Sequence, residues 1–463
     1  VLGWLEALRG MSGDVEALAA AAATLGEPEA DEEGAAAATA PGDATAAIAR
    51  ALLDLLLENT QRTSEAPNIA HLLLGFDLRA ARDEDQLVDA DARGRPASVL
   101  GALVALLRPP SGGAAATADA EVHHGAALAE AAPALAERGY ALLHQLCVHP
   151  YTSAATLRYL RTRGEFVLRQ VVYAPLRVPP SPGVALPHAA LGRVVYPGGE
   201  AVVATAEALL AYLRTLGSTL ALAALELHAL ALHGQLPKAL PLVGALLGAQ
   251  ATTGELEGAQ ELLLPPARAA ASGAHLTALL HALDFAWLDE REEAAAEAIS
   301  ITSPAALAPA LAEAADETRV YDLHAVAQVL LHEREQARAR GGELPADAWL
   351  AQAALVLRWA AAQNTRRALG AARRGAMQAW RQVLDVLLTQ ALGVVRPEAR
   401  AQVLLDALGA LLPRLSDARR GAEAEGAPLD LVAGAVLSLL SALRTHAAEA
   451  QQDVAGVLPT DRL

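Results

Sequence analysis

Histidine and cysteine are the side chains here with the right chemistry to bind a metal ion or act as nucleophiles, and their spacing argues against both roles. A helical metal site needs two histidines four positions apart with a third ligand, whereas His144 and His149 are five apart, as are His228 and His233. Cys147 is the only cysteine, which excludes an internal disulfide framework and a multi-cysteine zinc site. We expect no metal, no cofactor and a buried, unreactive Cys147.

Sequence signatures of other enzymes are also missing. The pair His332-Glu333 lacks the second histidine of a zinc protease motif, and no phosphate-binding loop occurs. A serine in a glycine elbow is likewise absent. We therefore expect no catalysis; a hydrolase with a hidden site would need titratable groups that converge in a deep pocket.

A group of arginines offers a different chemistry, which is the binding of acidic partners. Their spacing near seven places them along one side of a helix; they are Arg366, Arg367, Arg373, Arg374 and Arg381. A solvated face is the favoured interpretation, and docking of an acidic partner segment is the alternative. The net charge of −17 argues against a nucleic-acid surface, because binding a phosphate backbone requires clustered cations.

Composition predicts an all-α fold that positions these residues. Hydrophobic residues make up 53% of the 463-residue chain and aromatic residues only 3%, so alanine and leucine, which favour helices, dominate. The length exceeds what one globular core normally needs. The expected architecture is an irregular HEAT-like α-solenoid of stacked antiparallel helix pairs. No consensus recurs at a fixed period, so this prediction rests on the lengths of the helices.

Leucine spacing, with glycine and proline as breaks, predicts the helices themselves. We expect the longest to divide near Gly217-Ser218. The predicted helices are 44–58, 97–107, 126–148, 154–162, 165–173, 201–233, 236–250, 276–288, 305–314, 322–340, 346–363, 376–391, 397–412 and 429–448.

Proline and glycine clusters predict how the chain is divided. We expect loops at 26–43, 108–119 and 177–187, and two helical solenoid segments, 1–176 and 200–463, joined by a Pro/Gly-rich connection at 177–199. We expect no membrane span, because the most apolar stretch carries Glu226 and His228. The chain begins without an initiator methionine, so we expect a fragment of a longer protein.

Two motifs stand out from the alanine and leucine background as helix ends. Asn68 follows Pro67 and suits a helix N-cap, and Gly75 permits a left-handed turn at the other end. Thr152 or Ser153 is expected to cap a second helix, which ends at Gly164. In that helix we expect Tyr159 to pack inward with its hydroxyl bonded. Arg158 and Arg161 are expected to form a local ion pair or to contact a ligand, with packing and capping favoured over a ligand site.

These motifs resemble, in order, conserved blocks of the nucleoporin 205/192 family. The first two are Pro67 to Phe76 and Leu146-Cys147 leading into Thr152 to Thr162; the later two are Val320 to His324 and the run from Trp359 through Ala376 to Val383. The residues that carry the resemblance are Asn68, Leu73, Leu74, Gly75, Phe76, Thr152, Ser153, Arg158, Tyr159, Leu160, Arg161, Tyr321, Asp322, Trp380 and Arg381.

The resemblance implies a function as well as a fold. The family implies a helical solenoid that builds the inner ring of the nuclear pore at the nuclear envelope and binds short segments of other nucleoporins, including linker nucleoporins. This chain would be a central fragment, and the related nucleoporin 188 branch stays open. A soluble HEAT-repeat transport receptor or cargo adaptor is the alternative function.

Overall fold

The structure is a computed structural model that describes most of the chain in several stretches. The described residues are 41–61, 68–77, 87, 98–107, 128, 132–163, 165–179, 191–248, 275–288, 299–303, 305–313, 319–342, 345–420 and 429–457. The three predicted loops lie outside them, except for 41–43, which begin a helix, and 177–179. Gly164, the expected end of the second motif, also lies outside them.

Thirteen α-helices account for most of the described residues, and the predicted all-α fold is confirmed. The first six are α1 (Pro41–Thr60), α2 (Ile69–Leu74), α3 (Val99–Leu106), α4 (Pro133–Val148), α5 (Ser153–Thr162) and α6 (Phe166–Tyr173). The remaining seven are α7 (Ala206–Leu232), α8 (Leu236–Leu247), α9 (His275–His281), α10 (Leu323–Ala339), α11 (Ala346–Val386), α12 (Pro397–Arg420) and α13 (Leu429–Val457).

The helices pack side by side in a series, and the predicted helical solenoid is confirmed. α1 packs on α4, α4 on α7, α7 on α11, and α11 on α13, which also packs on α12. One cluster of buried apolar residues runs through the series from Ala49 to Leu439, and a smaller one joins α10 to α11. The division at 177–199 stays a prediction; helices from both sides of it contribute to the larger cluster.

Helix α7 is the centre of the stack. Leu209, Leu213, Leu216 and Leu220 recur every three or four residues and are all buried, which is the spacing of one helical face. The expected break near Gly217 is wrong, because α7 continues through it. A Cβ at Gly217 would lie 3.2 Å from the Cα of Ala376; the glycine therefore allows α7 and α11 to approach closely.

A small antiparallel sheet packs beside the helices, and sequence patterning missed it. Its strand β1 (Leu191–Val195) pairs with β2 (Ala201–Thr205), which immediately precedes α7, and with β3 (Ala286–Leu288). Gly198 and Gly199 turn the hairpin with φ angles of 109° and 87°, values that favour glycine. The sequence predicts a helix that begins at 201, but a pair of valines on each side of this Pro-Gly-Gly turn favours a hairpin instead.

Other helix boundaries also differ from the predictions. The expected helix at 305–314 is wrong, because a short 3-10 turn there leads into strand β4 (Leu311–Glu313), which pairs with β5 (Arg319–Tyr321). The helix expected to reach 288 ends at His281. The two helices expected at 346–363 and 376–391 form the single helix α11, which passes into a π-helical turn.

Within the described residues, two helices are long and apolar enough to cross a membrane by length and composition alone. In the first, Ala206–Leu232, most of the apolar window is buried inside the fold; in the second, Leu429–Glu449, most of it is exposed. The buried α7 is therefore accounted for as the core helix of the stack. The absence of a membrane span stays a prediction.

Candidate partner-binding site

The first sequence motif forms a capped helix, as predicted. The Oδ1 atom of Asn68 accepts hydrogen bonds from the backbone amides of Ala70 (3.0 Å) and His71 (3.4 Å), and its Nδ2 donates to the carbonyl of Asn59 in α1 (2.7 Å). Gly75 ends α2 at a φ of 103°. Leu74 and Phe76 are buried and Leu73 is half-buried. This motif holds α2 against α1.

The side chains of the second motif behave differently from the prediction. Thr152 occupies the N-cap position of α5 and Ser153 is the first helical residue, but neither caps the helix, because the Thr152 hydroxyl donates to the carbonyl of Leu146 (2.7 Å). Tyr159 and Leu160 are buried as expected. The Tyr159 hydroxyl, expected to be bonded, has no hydrogen-bond partner within the described structure.

Arg161, expected to form a local ion pair or to contact a ligand, instead forms a long-range ion pair. Arg158 is exposed on α5, whereas the Nε atom of Arg161 donates to Oε1 of Glu226 in α7, 2.5 Å away. The Glu226 side chain is only 8% exposed and that of Arg161 is 30% exposed. Arg161 therefore joins α5 to the central helix through a carboxylate 65 positions away in sequence.

This ion pair borders a pocket of about 240 Å³ between α5, α6, α7 and α8, which we call the α5–α8 pocket. Its apolar wall consists of Phe166, Val167, Leu168, Leu230, Pro237, Pro241 and Leu242, and its polar wall of Arg161, Glu165, Glu226 and Lys238. Lys238 is the only lysine of the chain. An apolar wall with a few convergent polar groups is the usual composition of a binding site.

The electrostatics of the pocket centre on Glu226. Burial raises the pKa of Glu226, and the hydrogen bond and charge of Arg161 oppose that shift. Oε1 is bonded to Arg161, while Oε2 is buried and has no hydrogen-bond partner within the described structure. Burial also raises the pKa of the nearby Cys147, helped by the Glu226 charge; the thiol stays protonated in the core, where its burial was predicted.

Glu165, at the rim of the pocket, has an unusual backbone. Its φ of 55° is the one positive value at a non-glycine position within the described residues. Such a conformation costs about 1–2 kcal/mol. Glu165 immediately precedes α6 and makes no side-chain cap, so the turn that brings α6 to the pocket is held by packing of the helices on either side.

Two members of the predicted arginine group, Arg367 and Arg373, make internal contacts. Arg367 lies over the ring of Tyr321 at 4.8 Å and donates to the carbonyl of Arg319 (2.7 Å). Arg373 lies over the ring of Phe285 at 5.3 Å, with Nη2 3.8 Å from Oδ1 of Asp284. The expected solvated face therefore does not describe these two arginines, which are half-buried.

The remaining three arginines of the group differ in how exposed they are and in what they contact. Arg366 is half-buried and Arg374 is exposed. Arg381 lies 3.4 Å from a carboxylate oxygen of Asp385, and its guanidinium packs against Gly434 of α13. We call Arg366, Arg367, Arg373 and Arg374 the arginine line; its role in partner binding stays a prediction.

Hydrogen bonds at three further residues of the resemblance, Tyr321, Asp322 and Trp380, join or cap elements of the fold. Trp380 is fully buried, and its Nε1 donates to the carbonyl of Leu276 (2.8 Å). Asp322 caps α10 by accepting from the amide of His324 (2.9 Å). Asn364, which sequence reasoning missed, accepts from the Tyr321 amide and donates to the Tyr321 carbonyl (2.6 and 2.8 Å), as the backbone of a neighbouring strand would.

A stack of laterally packed helices defines the class of helical solenoid proteins. Within the described residues, no three His, Cys, Asp or Glu side chains are grouped to hold a metal ion. Comparison with known sequences supplies the family. The family model of the nuclear pore complex scaffold, nucleoporins 186/192/205, matches residues 15–463. The chain belongs to this family, which confirms the resemblance found in the motifs.

One curated relative matches a part of this chain. The chain is 33% identical over 124 residues to the nuclear pore complex protein Nup205 of Homo sapiens. The match covers 27% of this chain and 6% of the human protein. Proteins of this family are structural components of the nuclear pore complex at the nuclear envelope.

Proposed function

We propose that this chain is a structural, non-catalytic segment of the inner-ring scaffold of the nuclear pore, and that its α5–α8 pocket binds short segments of other nucleoporins, including linker nucleoporins. The observation that carries the proposal is the pocket itself. Four helices of a tightly packed stack leave a pocket whose exposed apolar surface includes Pro237 and the half-buried Pro241, beside the ion pair of Arg161 and Glu226. Packing alone does not require such a gap, because helix interfaces normally close to the density of a crystal.

The shape of the pocket suits a short linear segment. Its volume of about 240 Å³ is below the roughly 300–1,000 Å³ of sites for drug-sized ligands. It therefore holds one or two side chains of an extended chain. A series of such weak contacts along a solenoid gives firm assembly through multivalency. The net charge of −17 supports partners that are proteins and not nucleic acids.

The test is binding of the full-length protein to overlapping peptides from the disordered segments of other nucleoporins. Lys238 and Arg374 are both exposed, so Lys238→Glu at the pocket and Arg374→Glu on the arginine line should both leave the fold intact. We expect Lys238→Glu to weaken binding about tenfold, or about 1.4 kcal/mol, and Arg374→Glu to change it less than twofold. The opposite pattern would move the site to the arginine line, and failure of every peptide to bind would overturn the proposal.

Two further measurements separate the scaffold from the alternative of a transport receptor. We expect the full-length protein at the nuclear rim, with no binding to the GTP form of a small nuclear GTPase. Absence from the rim would contradict the scaffold role. GTP-dependent binding of the GTPase would instead favour the soluble receptor or cargo adaptor.

A further inference from the structure

A second cluster of charged side chains lies where α9 packs against α11 and α12. Asp284, three residues beyond the end of α9, contacts three basic side chains, which are His281 of α9, Arg373 of α11 and Arg414 of α12. We call these four residues the Asp284 cluster. None of them lines the α5–α8 pocket, so the cluster is separate from the site proposed above.

The charges of the Asp284 cluster do not balance. When His281 is counted as neutral, two guanidinium groups share one carboxylate, which leaves one positive charge in excess. Arg414 makes the stronger contact, because it donates a hydrogen bond to Oδ2 of Asp284 and its side chain is only 13% exposed. The Nη2 atom of Arg373 is 3.8 Å from Oδ1 of Asp284, which is too far for a hydrogen bond. Arg373 is therefore the incompletely paired cation.

The electrostatic environment of Arg373 agrees with this excess of positive charge. Burial lowers the pKa of Arg373, the charge of Asp284 raises it, and the charge of Arg414 lowers it again. A further anion beside Arg373 would favour the charged guanidinium, because an opposite charge within about 4–6 Å stabilises an ionised group.

Arg373 is also the member of the cluster that a ligand can reach with its donors. Its side chain is 40% exposed, and none of its N–H groups makes a hydrogen bond to another described residue. The guanidinium carbon lies 5.3 Å from the centre of the Phe285 ring, a contact that restrains the side chain without occupying its donors in conventional hydrogen bonds. A restrained arginine loses less freedom when it binds a ligand.

The ligand group that fits this arrangement is a single carboxylate. The fork of N–H donors on a guanidinium matches the two oxygens of a carboxylate in parallel hydrogen bonds. One carboxylate also neutralises the one excess charge of the cluster. A phosphate ester carries a charge of about −1.5 to −2 at neutral pH, so it would leave a negative excess beside Asp284.

We infer that Arg373 of the Asp284 cluster binds the carboxylate of a glutamate or aspartate from an acidic segment of a partner protein. The ligand carboxylate accepts two hydrogen bonds from Arg373 while Arg414 keeps Asp284 occupied. One partly exposed ion pair contributes about 1 kcal/mol at most, so the carboxylate belongs to a segment that makes further contacts. The chain's net charge of −17 repels acidic segments in general, which makes a local site necessary.

The first test compares three fluorescent peptides on the full-length protein by polarisation. They are blocked pentaglutamate, blocked pentaglutamine, and pentaglutamate with phosphoserine at its centre. We expect pentaglutamate to bind at least about fivefold more tightly than pentaglutamine, the scale of one bidentate ion pair that is partly exposed. Equal affinities would overturn the inference, and tighter binding of the phosphoserine peptide would overturn the assignment to a carboxylate.

The second test removes the cation that contacts the ligand. Arg373→Gln should weaken pentaglutamate binding about fivefold, because glutamine keeps two donors but loses the charge and the fork. Arg358, an exposed arginine of the same helix, supplies the control, and Arg358→Gln should change binding less than about twofold. Thermal unfolding verifies that both variants are folded. Equal effects of the two substitutions would mean that the peptide senses only the general charge of α11, and the inference would fail.

The third test removes the carboxylate that competes with the ligand. Asp284→Asn keeps the shape of the side chain but leaves both guanidinium groups without their anion, so pentaglutamate should bind about fivefold more tightly. Partial unfolding would weaken binding instead, so a gain cannot arise from lost stability. Asp385→Asn, which removes the partner of Arg381, is the control and should change binding less than about twofold. Unchanged or weaker binding by folded Asp284→Asn would contradict the inference.

A final comparison separates this inference from the proposed function. Pentaglutamate is titrated onto Lys238→Glu, the variant of the α5–α8 pocket, and we expect its affinity to change less than about twofold. A larger loss would place the acidic segment at the pocket and overturn the Asp284 cluster as its site. If nucleoporin peptides bind at the pocket while pentaglutamate ignores Arg373→Gln, only this inference is wrong. If pentaglutamate depends on Arg373 and no nucleoporin peptide binds, only the proposed function is wrong.

Discussion

The α5–α8 pocket and the arginine line both carry charged side chains on packed helices, but they use them in different ways. At the pocket, one arginine and one glutamate form a pair that leaves a carboxylate oxygen without a donor. Along the arginine line, Arg367 and Arg373 are held by aromatic rings, a carbonyl and Asp284. The first region leaves one buried oxygen without a described donor, whereas the second uses much of its hydrogen-bonding capacity internally.

This difference shows that the number of charges in a motif does not indicate how each charge is used. The group of five arginines in α11 and Arg161 in the short α5 were both singled out from sequence. What distinguishes them is what each charge faces after folding, which depends on residues far away in sequence.

The largest effect should follow from breaking the ion pair at the pocket. Arg161→Ala leaves Glu226 buried without its cation, and loss of one member of a buried pair typically costs about 3 kcal/mol or more. We expect the free energy of unfolding to fall by about that amount, measured by chemical denaturation. In the control, Glu226→Met added to Arg161→Ala removes the unpaired charge and should recover most of the loss. A decrease below about 0.5 kcal/mol would show that the pair is effectively solvated.

The second largest effect should follow from removing Asp284, the carboxylate that contacts Arg373 of the arginine line. Asp284 lies beside Arg373 and accepts a hydrogen bond from Arg414, whose side chain is only 13% exposed. Asp284→Ala leaves Arg414 with the Leu280 carbonyl as its remaining described partner, and we expect a loss of about 2 kcal/mol. The control is Asp385→Ala, which removes the more exposed partner of Arg381 and should cost less than about 1 kcal/mol. Equal losses would mean that burial does not distinguish the two carboxylates.

The third prediction concerns how stability depends on pH through Glu226 of the pocket. The pKa of Glu226 is raised by burial above the ordinary 4.5, so the folded state retains a proton that the unfolded chain releases. The free energy of unfolding should therefore fall as pH rises from 4.5 through the folded pKa. We expect this fall to disappear in Glu226→Gln.

Subtracting the two pH profiles isolates the carboxyl group. Burial lowers the pKa of His71, His144 and His149, which makes stability rise with pH up to about 6.5 in both proteins and so cancels in the difference. A difference profile that is flat between pH 4 and 8 would contradict the assigned environment of Glu226.

How much of this could be read from sequence depends on the distance between interacting residues. The cap at Asn68 and the turn at Gly75 were predictable, because each depends on residues within four positions. The pair of Arg161 and Glu226 spans 65 positions, and its formation is decided only by how α5 packs on α7. The α5–α8 pocket was accordingly missed. The available signal was a glutamate in the most apolar stretch of the chain, Leu216 to Leu232, and it was used only to argue against a membrane span.

Two glycines show the same limit of prediction from local sequence. At Gly217 the sequence suggested a break, yet the residue lies inside α7 where Ala376 comes close. At Gly192 a Cβ would lie 2.4 Å from the ring of Trp287, so this glycine makes room for the tryptophan of β3. At both positions a residue far away in sequence leaves no room for a side chain. A rule based on local sequence would treat these glycines only as flexible residues. The hairpin at β1 and β2 is different, because its turn was visible in the sequence and was overlooked.

The smallest effect tests whether the arginines of the arginine line contribute equally to the free energy of unfolding. Arg367 contacts Tyr321 and a carbonyl, so Arg367→Ala should lower the free energy of unfolding by about 1 kcal/mol, the sum of a modest cation–π contact and one hydrogen bond. Arg374 is exposed on the same helix, and Arg374→Ala should change it by less than about 0.5 kcal/mol. Helix propensity is equal in the two substitutions, so their difference measures the internal contacts alone. Equal values would mean that the line is one solvated face after all, and the contrast with the pocket would then rest on Glu226 only.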